Sequence, residues 1–164
     1  MRYAVIFLVL LTAACMGQES EQPQEVQPAP EEIIDSYFEG LNQRNLPELE
    51  DLTHSYFAED AELLLDYVKN QNLTFEIVEI SLLMKEEEFR EMTKGLSDAD
   101  FAEQIGKRGR SYEVIVTIIT PDASYEEIFL FVELGETDDG WKVIEPSVLQ
   151  LLIETSLEVA RAGG

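Results

Sequence analysis

Three runs in the second half of the chain limit the fold more than any other feature: SYEVIVTII at 111–119, YEEIFLFVEL at 125–134 and WKVIE at 141–145. Each is rich in β-branched and aromatic residues. Pro121-Asp122 turns the first run into the second, and Gly135 to Gly140 turns the second into the third. Turns this short join antiparallel neighbours, so the runs predict a meander. Their middles are apolar at odd and even positions alike, which predicts a sheet covered on both faces.

Upstream the period is helical. Pro30 with Glu31 and Glu32 reads as a helix start, because proline fits the first turn and carboxylates suit the positive end of the helix dipole. Ile33, Ile34, Tyr37, Phe38 and Leu41 follow at helical spacing. Asn45-Leu46-Pro47 breaks the run, a second helix is expected to carry Leu49, Leu52, Tyr56 and Phe57, and a third carries Leu64, Leu65 and Val68. FEIVEISLLM at 75–84 reads as a strand whose apolar parity shifts after Ile77, the mark of a bulge. Glu86 to Lys94 and Asp98 to Ile105 read as helices, the latter opened by Ser97 with Asp100 three residues on and closed by Gly106. Pro146 opens a last helix with a wide apolar arc through Val148, Leu149, Leu151, Leu152, Ile153, Leu157 and Val159. An arc that wide predicts a helix packed on two sides, which would make it the sheet's second cover.

The expected fold class is α+β, with N-terminal helices packed on a curved antiparallel sheet and an extra C-terminal helix. Two or three helices, a strand and a meander ending in Asp139-Gly140-Trp141-Lys142-Val143 resemble the cone-shaped fold of the nuclear transport factor 2-like superfamily over residues 31–146. The helical insertion between Met84 and Ser111 and the helix after Pro146 depart from that pattern. The resemblance implies a pocket inside the cone, and enzymes of that group use an aspartate-histidine pair or a lone carboxylate there.

The first residues read differently. One basic residue, Arg2, precedes an apolar run from Tyr3 to Leu11, which ends in Thr12, Ala13 and Ala14 before Cys15, the only cysteine. This is the grammar of an export signal, and the run is too short for the ~20 apolar residues a membrane span needs. Leu11-Thr12-Ala13-Ala14-Cys15 resembles the lipobox of bacterial lipoproteins, although Thr12 replaces the commoner leucine. The resemblance implies cleavage before Cys15, acylation of that residue and anchoring to a lipid bilayer. Three acyl chains would make the anchor effectively permanent, at about 0.8 kcal/mol per buried methylene. Met16 stands where aspartate would imply inner-membrane retention, so the expected place is the periplasmic face of the outer membrane. The expected organisation is a signal peptide at 1–14, a lipidated cysteine and tether at 15–30, and one domain over 31–164. Met16 to Pro30 is too polar and proline-rich to fold, and as a tether it would span about 20 Å.

The chain carries 11 Lys+Arg against 34 Asp+Glu, a net charge of −23. Phosphate backbones repel such a polyanion, so nucleic acid is not an expected partner. Saline surroundings, solubility and a basic partner all remain readings of this acidity. One local contrast stands out. GKRGR at 106–110 gathers Lys107, Arg108 and Arg110, a candidate site for an acidic partner segment or an anionic ligand, or else a loop neutralised by its own acidic neighbours.

Other chemistry-bearing residues are sparse. The single histidine, His54, falls beside Glu50 at i−4 and off the apolar stripe, which predicts a surface residue paired with a carboxylate. With one histidine and one cysteine the usual zinc sets are excluded, and no P-loop, dinucleotide fingerprint or GxSxG elbow occurs. Glu136, Asp138 and Asp139 lack the spacing of a calcium loop and read as a solvated turn, and Trp141 reads as a core anchor. No cofactor is expected. The leading expectation is a non-catalytic module presenting a cone or groove to an envelope protein or a small apolar ligand. Its alternative is a small cyclase- or isomerase-type enzyme using a strand carboxylate such as Glu113 or Glu126, and a third reading makes the C-terminal helix a homodimer interface.

Overall fold

A computed structural model describes residues 27–163. Along these residues six α-helices and four strands follow in the order α1 (Pro30–Gln43), α2 (Leu46–Leu52), α3 (Ala58–Gln71), β1 (Thr74–Met84), α4 (Glu86–Met92), α5 (Asp98–Gln104), β2 (Gly109–Ile119), β3 (Ser124–Thr137), β4 (Gly140–Ile144) and α6 (Pro146–Gly163). The expected α+β class holds, and the strands form one antiparallel sheet in the order β1-β2-β3-β4.

Local chemistry explains the helix ends. Pro30 opens α1, the Glu32 carboxylate accepts the Ala29 N–H at 2.9 Å, and Arg44 ends the helix in the left-handed region at φ 61°. The Asn42 side chain both accepts from the Phe75 N–H and donates to the Phe75 carbonyl, each at 2.8 Å, so it acts as a short strand partner fixing α1 to β1. Ser97 caps α5 by accepting the Asp100 N–H at 3.1 Å, as its spacing predicts. Among the described residues no helix is long and apolar enough to cross a membrane.

The second helix is shorter than expected. It stops at Leu52, and Tyr56 and Phe57 lie on a separate single 3₁₀ turn at Ser55–Phe57. The cause is competition from β4: Thr53 bridges Val143 in parallel, and the His54 N–H donates to the Val143 carbonyl at 2.8 Å. Those backbone groups are therefore withdrawn from a helical ladder.

Register assigns the faces, since residues directly opposite in an antiparallel ladder share one. The inner face carries Phe75, Ile118 and Tyr125, then Ile80, Val114 and Leu130, then Leu82, Tyr112 and Val132. The parity shift in β1 is a bulge at Val78, which lies between the Ile77–Val116 and Glu79–Ile115 pairs. Helices α1, α3 and α6 pack on the inner face and fill it, with Tyr37, Phe38, Leu41, Leu64, Leu65, Leu149 and Ile153 all in one core with the strands.

The outer face is not covered as the sequence predicts. A satellite cluster of Phe89, Phe101, Ile105 and Ile144, contributed by the α4–α5 insertion and β4, closes one end of it. Contact there is close. A Cβ on Gly109 would fall 2.4 Å from the Phe89 ring, and one on Gly135 would fall 1.9 Å from the Ile105 carbonyl oxygen. Helix α6 is not the second cover. It buries a single stripe, Leu149, Ile153 and Leu157, against α3 and β3 on the inner side, and leaves Val148, Leu151 and Val159 exposed.

Candidate functional site

The GKRGR cations lie where α4 meets the ends of β2 and β3. Glu86, in the first turn of α4, accepts from Arg110 Nη2 at 2.6 Å and from Arg108 Nη1 at 3.1 Å. Arg108 also pairs with Glu136, and Lys107 pairs with Asp138 at 2.7 Å. The Arg110 and Arg108 guanidinium groups stand 4.9 and 5.5 Å from the Trp141 ring centroid. The Arg110 hydrogen bond holds the Glu86 carboxyl below its usual pKa, Arg108 does the same for Glu136, and Glu136 in return raises Arg108. All three cations are thus engaged with acidic neighbours, and they staple the insertion to the sheet. Glu86→Gln is expected to lower stability by about 1 kcal/mol at low salt and to speed amide exchange across α4, measured by denaturant titration and hydrogen exchange.

Beside this staple runs an open cleft of about 590 Å³, lined by Glu86, Arg90, Asp98, Phe101, Gly106 and Arg108 among others. Arg90 stacks 4.0 Å from the Phe101 centroid and pairs with Asp98, which joins α4 to α5. Positive and negative groups alternate around the cleft.

The remaining chemistry is on the outer face. Two cross-strand rows cross it, Glu79–Ile115–Phe129 and Ser81–Glu113–Phe131. Phe129 is 52% exposed and Phe131 39% exposed. Alongside them a groove of about 300 Å³ runs between β3 and α6, lined by Glu127, Ile128 and Phe129 on one side and Thr155, Ser156 and Val159 on the other. Further along, Phe131, Glu133, Glu145 and Val148 border a cavity of about 30 Å³.

Glu133 sits between these two environments. It pairs with buried Ser111 and with Ile144 of the satellite cluster, and its neighbour two residues back is exposed Phe131. Burial, helped by the Glu145 charge, pushes its pKa up to about 7.

The residues singled out from sequence distribute as follows. Cys15 and the lipobox lie outside the described residues. Glu113 is on the outer face beside Phe131, and Glu126 is exposed in β3, so neither points into an enclosed inner pocket. His54 departs from expectation. It is 7% exposed rather than on the surface, its Nδ1 accepts the Tyr56 N–H at 3.2 Å, and burial lowers its pKa. Its place is set by the β4 bridge, not by helical spacing from Glu50. Trp141 is buried in the core and also receives the two arginines. Glu136 and Asp138 are used by Arg108 and Lys107. Among the described residues no group of three or more His, Cys, Asp or Glu is placed to hold a metal ion.

Sequence reasoning missed Glu133, Phe129 and Phe131. The signal was present in FLFVE, where Phe129, Phe131 and Glu133 alternate on one face, but continuous apolarity made that face read as covered. Comparison of the chain with models of known protein families found no match. Comparison with curated protein sequences found none either.

Proposed function

We propose that this chain is a lipid-anchored envelope protein without a catalytic role, acylated at Cys15 and built on the cone-like plan of the nuclear transport factor 2-like group. Its folded body binds a protein partner through the outer face of the sheet. One observation carries the binding reading: Phe129 and Phe131 stay exposed beside the exposed Val148 and Val159 of α6, on a sheet whose inner face is filled. Contiguous exposed apolar surface on a folded domain marks an interaction site more often than it marks chance. Among the described residues the inner face is packed by one core, which favours a partner surface on the outer face over a small apolar ligand inside the cone.

The test has two arms. Mass spectrometry of the membrane-extracted protein should find residue 15 as the acylated amino terminus, and Cys15→Ser should leave the chain unprocessed. Cross-linking in native membranes should capture a partner that Phe129→Ala/Phe131→Ala loses by about tenfold, a change of ~1.4 kcal/mol. An uncut amino terminus overturns the anchor, and unchanged capture overturns the surface.

A second reading keeps the small-enzyme alternative, with Glu133 in place of Glu113 or Glu126. A carboxylate poised near neutral pH suits a general base. The adjoining cavity of about 30 Å³ has the size of a single water, so this reading requires α6 or the α4–α5 insertion to move.

A further inference from the structure

We infer that the occupant of the open sheet face is a cationic amphipathic segment of another protein, its apolar side chains on Phe129, Phe131 and Ile115 and its lysines or arginines against the surrounding glutamates. This rests on the partner-binding reading above and supplies the chemistry of the partner.

Charge placement carries the argument. The ladder positions of this face, Ser111, Glu113, Ile115 and Thr117 in β2, and Phe129, Phe131 and Glu133 in β3, include two carboxylates and no lysine or arginine. In β1 the same face adds Glu76 and Glu79. Glu127 borders the groove toward α6, and Glu145 borders the small cavity at the other end of the aromatic pair. The cations that could have neutralised this rim are engaged elsewhere, with Lys107, Arg108 and Arg110 in the staple and Lys142 donating to the Asp51 carbonyl. An apolar centre ringed by one sign of charge selects a partner with an apolar stripe flanked by the other sign, and steers its approach.

The same rim argues against a second copy of this chain. A two-fold dimer through this face would set each glutamate rim against its twin, in a molecule that already carries a charge of −23. The groove between β3 and α6 is open and shallow, and Ile128, Phe129 and Val159 offer apolar side chains along it to a docked segment. The glutamates stand at its margins, where a partner's long cationic side chains can reach them while remaining partly in water.

The test uses the full-length protein and a synthetic Leu/Lys amphipathic peptide of about 14 residues, long enough to form marginal helix, with a Leu/Glu peptide of the same pattern as its opposite. Glu79→Gln/Glu113→Gln/Glu127→Gln removes three rim charges. Asp35→Asn/Glu50→Gln/Glu62→Gln removes three exposed charges from the helical side and changes net charge equally. Affinity for the Leu/Lys peptide should fall about tenfold or more with the rim variant and less than about twofold with the control. Equal losses from both variants, or equal binding of the Leu/Glu peptide, overturn the inference. A concentration-dependent dimer in sedimentation that occludes Phe129 also overturns it. Capture of a native partner that depends on Phe129 and Phe131 but ignores the rim variant removes this inference and leaves the partner-binding reading standing. Capture indifferent to the phenylalanines removes both.

Discussion

Gly135→Ala should destabilise the protein by about 3 kcal/mol, roughly a 10 °C fall in melting temperature for a domain of this size. The added methyl would lie 1.9 Å from the Ile105 carbonyl oxygen and 3.2 Å from Ile144 Cγ2. A side chain could swing aside. A backbone carbonyl cannot, because it belongs to a segment held to β3 by the Lys107 N–H to Glu136 carbonyl bond at 2.6 Å and the Glu136 N–H to Arg108 carbonyl bond at 2.8 Å. Relief therefore requires α5 and the Gly106 turn to lift from the sheet. Exchange protection should drop first across residues 86–106, while the core of α1, α3 and α6 on the inner face keeps its protection. Unchanged melting and uniform protection would show that the insertion does not dock as described.

Glu133→Gln should stabilise the protein by on the order of 2 kcal/mol at pH 8, with an effect that fades toward pH 5. The sign follows from proton binding. Folding raises the Glu133 pKa from the ordinary carboxylate range to about 7, so between those values the folded state holds a proton that the unfolded state has released. Stability linked to this group is fully present below the ordinary carboxylate pKa and is lost as pH climbs through 7. Glutamine stays neutral throughout and removes that slope. Denaturant titrations of both proteins from pH 5 to pH 8 measure it, and parallel curves would mean that the carboxyl is solvated rather than held against the satellite cluster.

Much of the fold was legible because local rules decided it. The Pro30 and Ser97 helix starts, the bulge after Ile77 and the meander turns all depend on residues within a few positions of one another. The misreadings share a different cause, which is that a distant segment overrides a local preference. β4 draws Thr53 and His54 out of a helix from ninety residues away in sequence, and hides a histidine that spacing puts on the surface. The outer face failed for a related reason. Apolarity states what a strand tolerates, whereas cover depends on how far α4 and α5 reach, and they close over Gly109, Gly135 and Ile144 while leaving Phe129 and Phe131 exposed. Of the candidate site, the cation cluster was visible as composition, but its engagement by Glu86 was not, since that contact spans 22 to 24 residues. The exposed phenylalanines could be recognised only once a face had been assigned to them.

The mismatch in strand length bears on how the chain is made. β4 pairs with β3 only over Glu133–Thr137, so among the described residues the flank of β3 from Ser124 to Val132 has no strand beside it, and α6 lies along that flank instead. A polypeptide leaves the ribosome amino end first, and this flank is therefore complete before the helix that shelters it has been synthesised. Nascent or prematurely terminated chains ending near Glu145 would carry a bare β-edge that templates like pairing between molecules. The helix after Pro146 thus covers an edge that chains lacking it would leave open to pairing with one another.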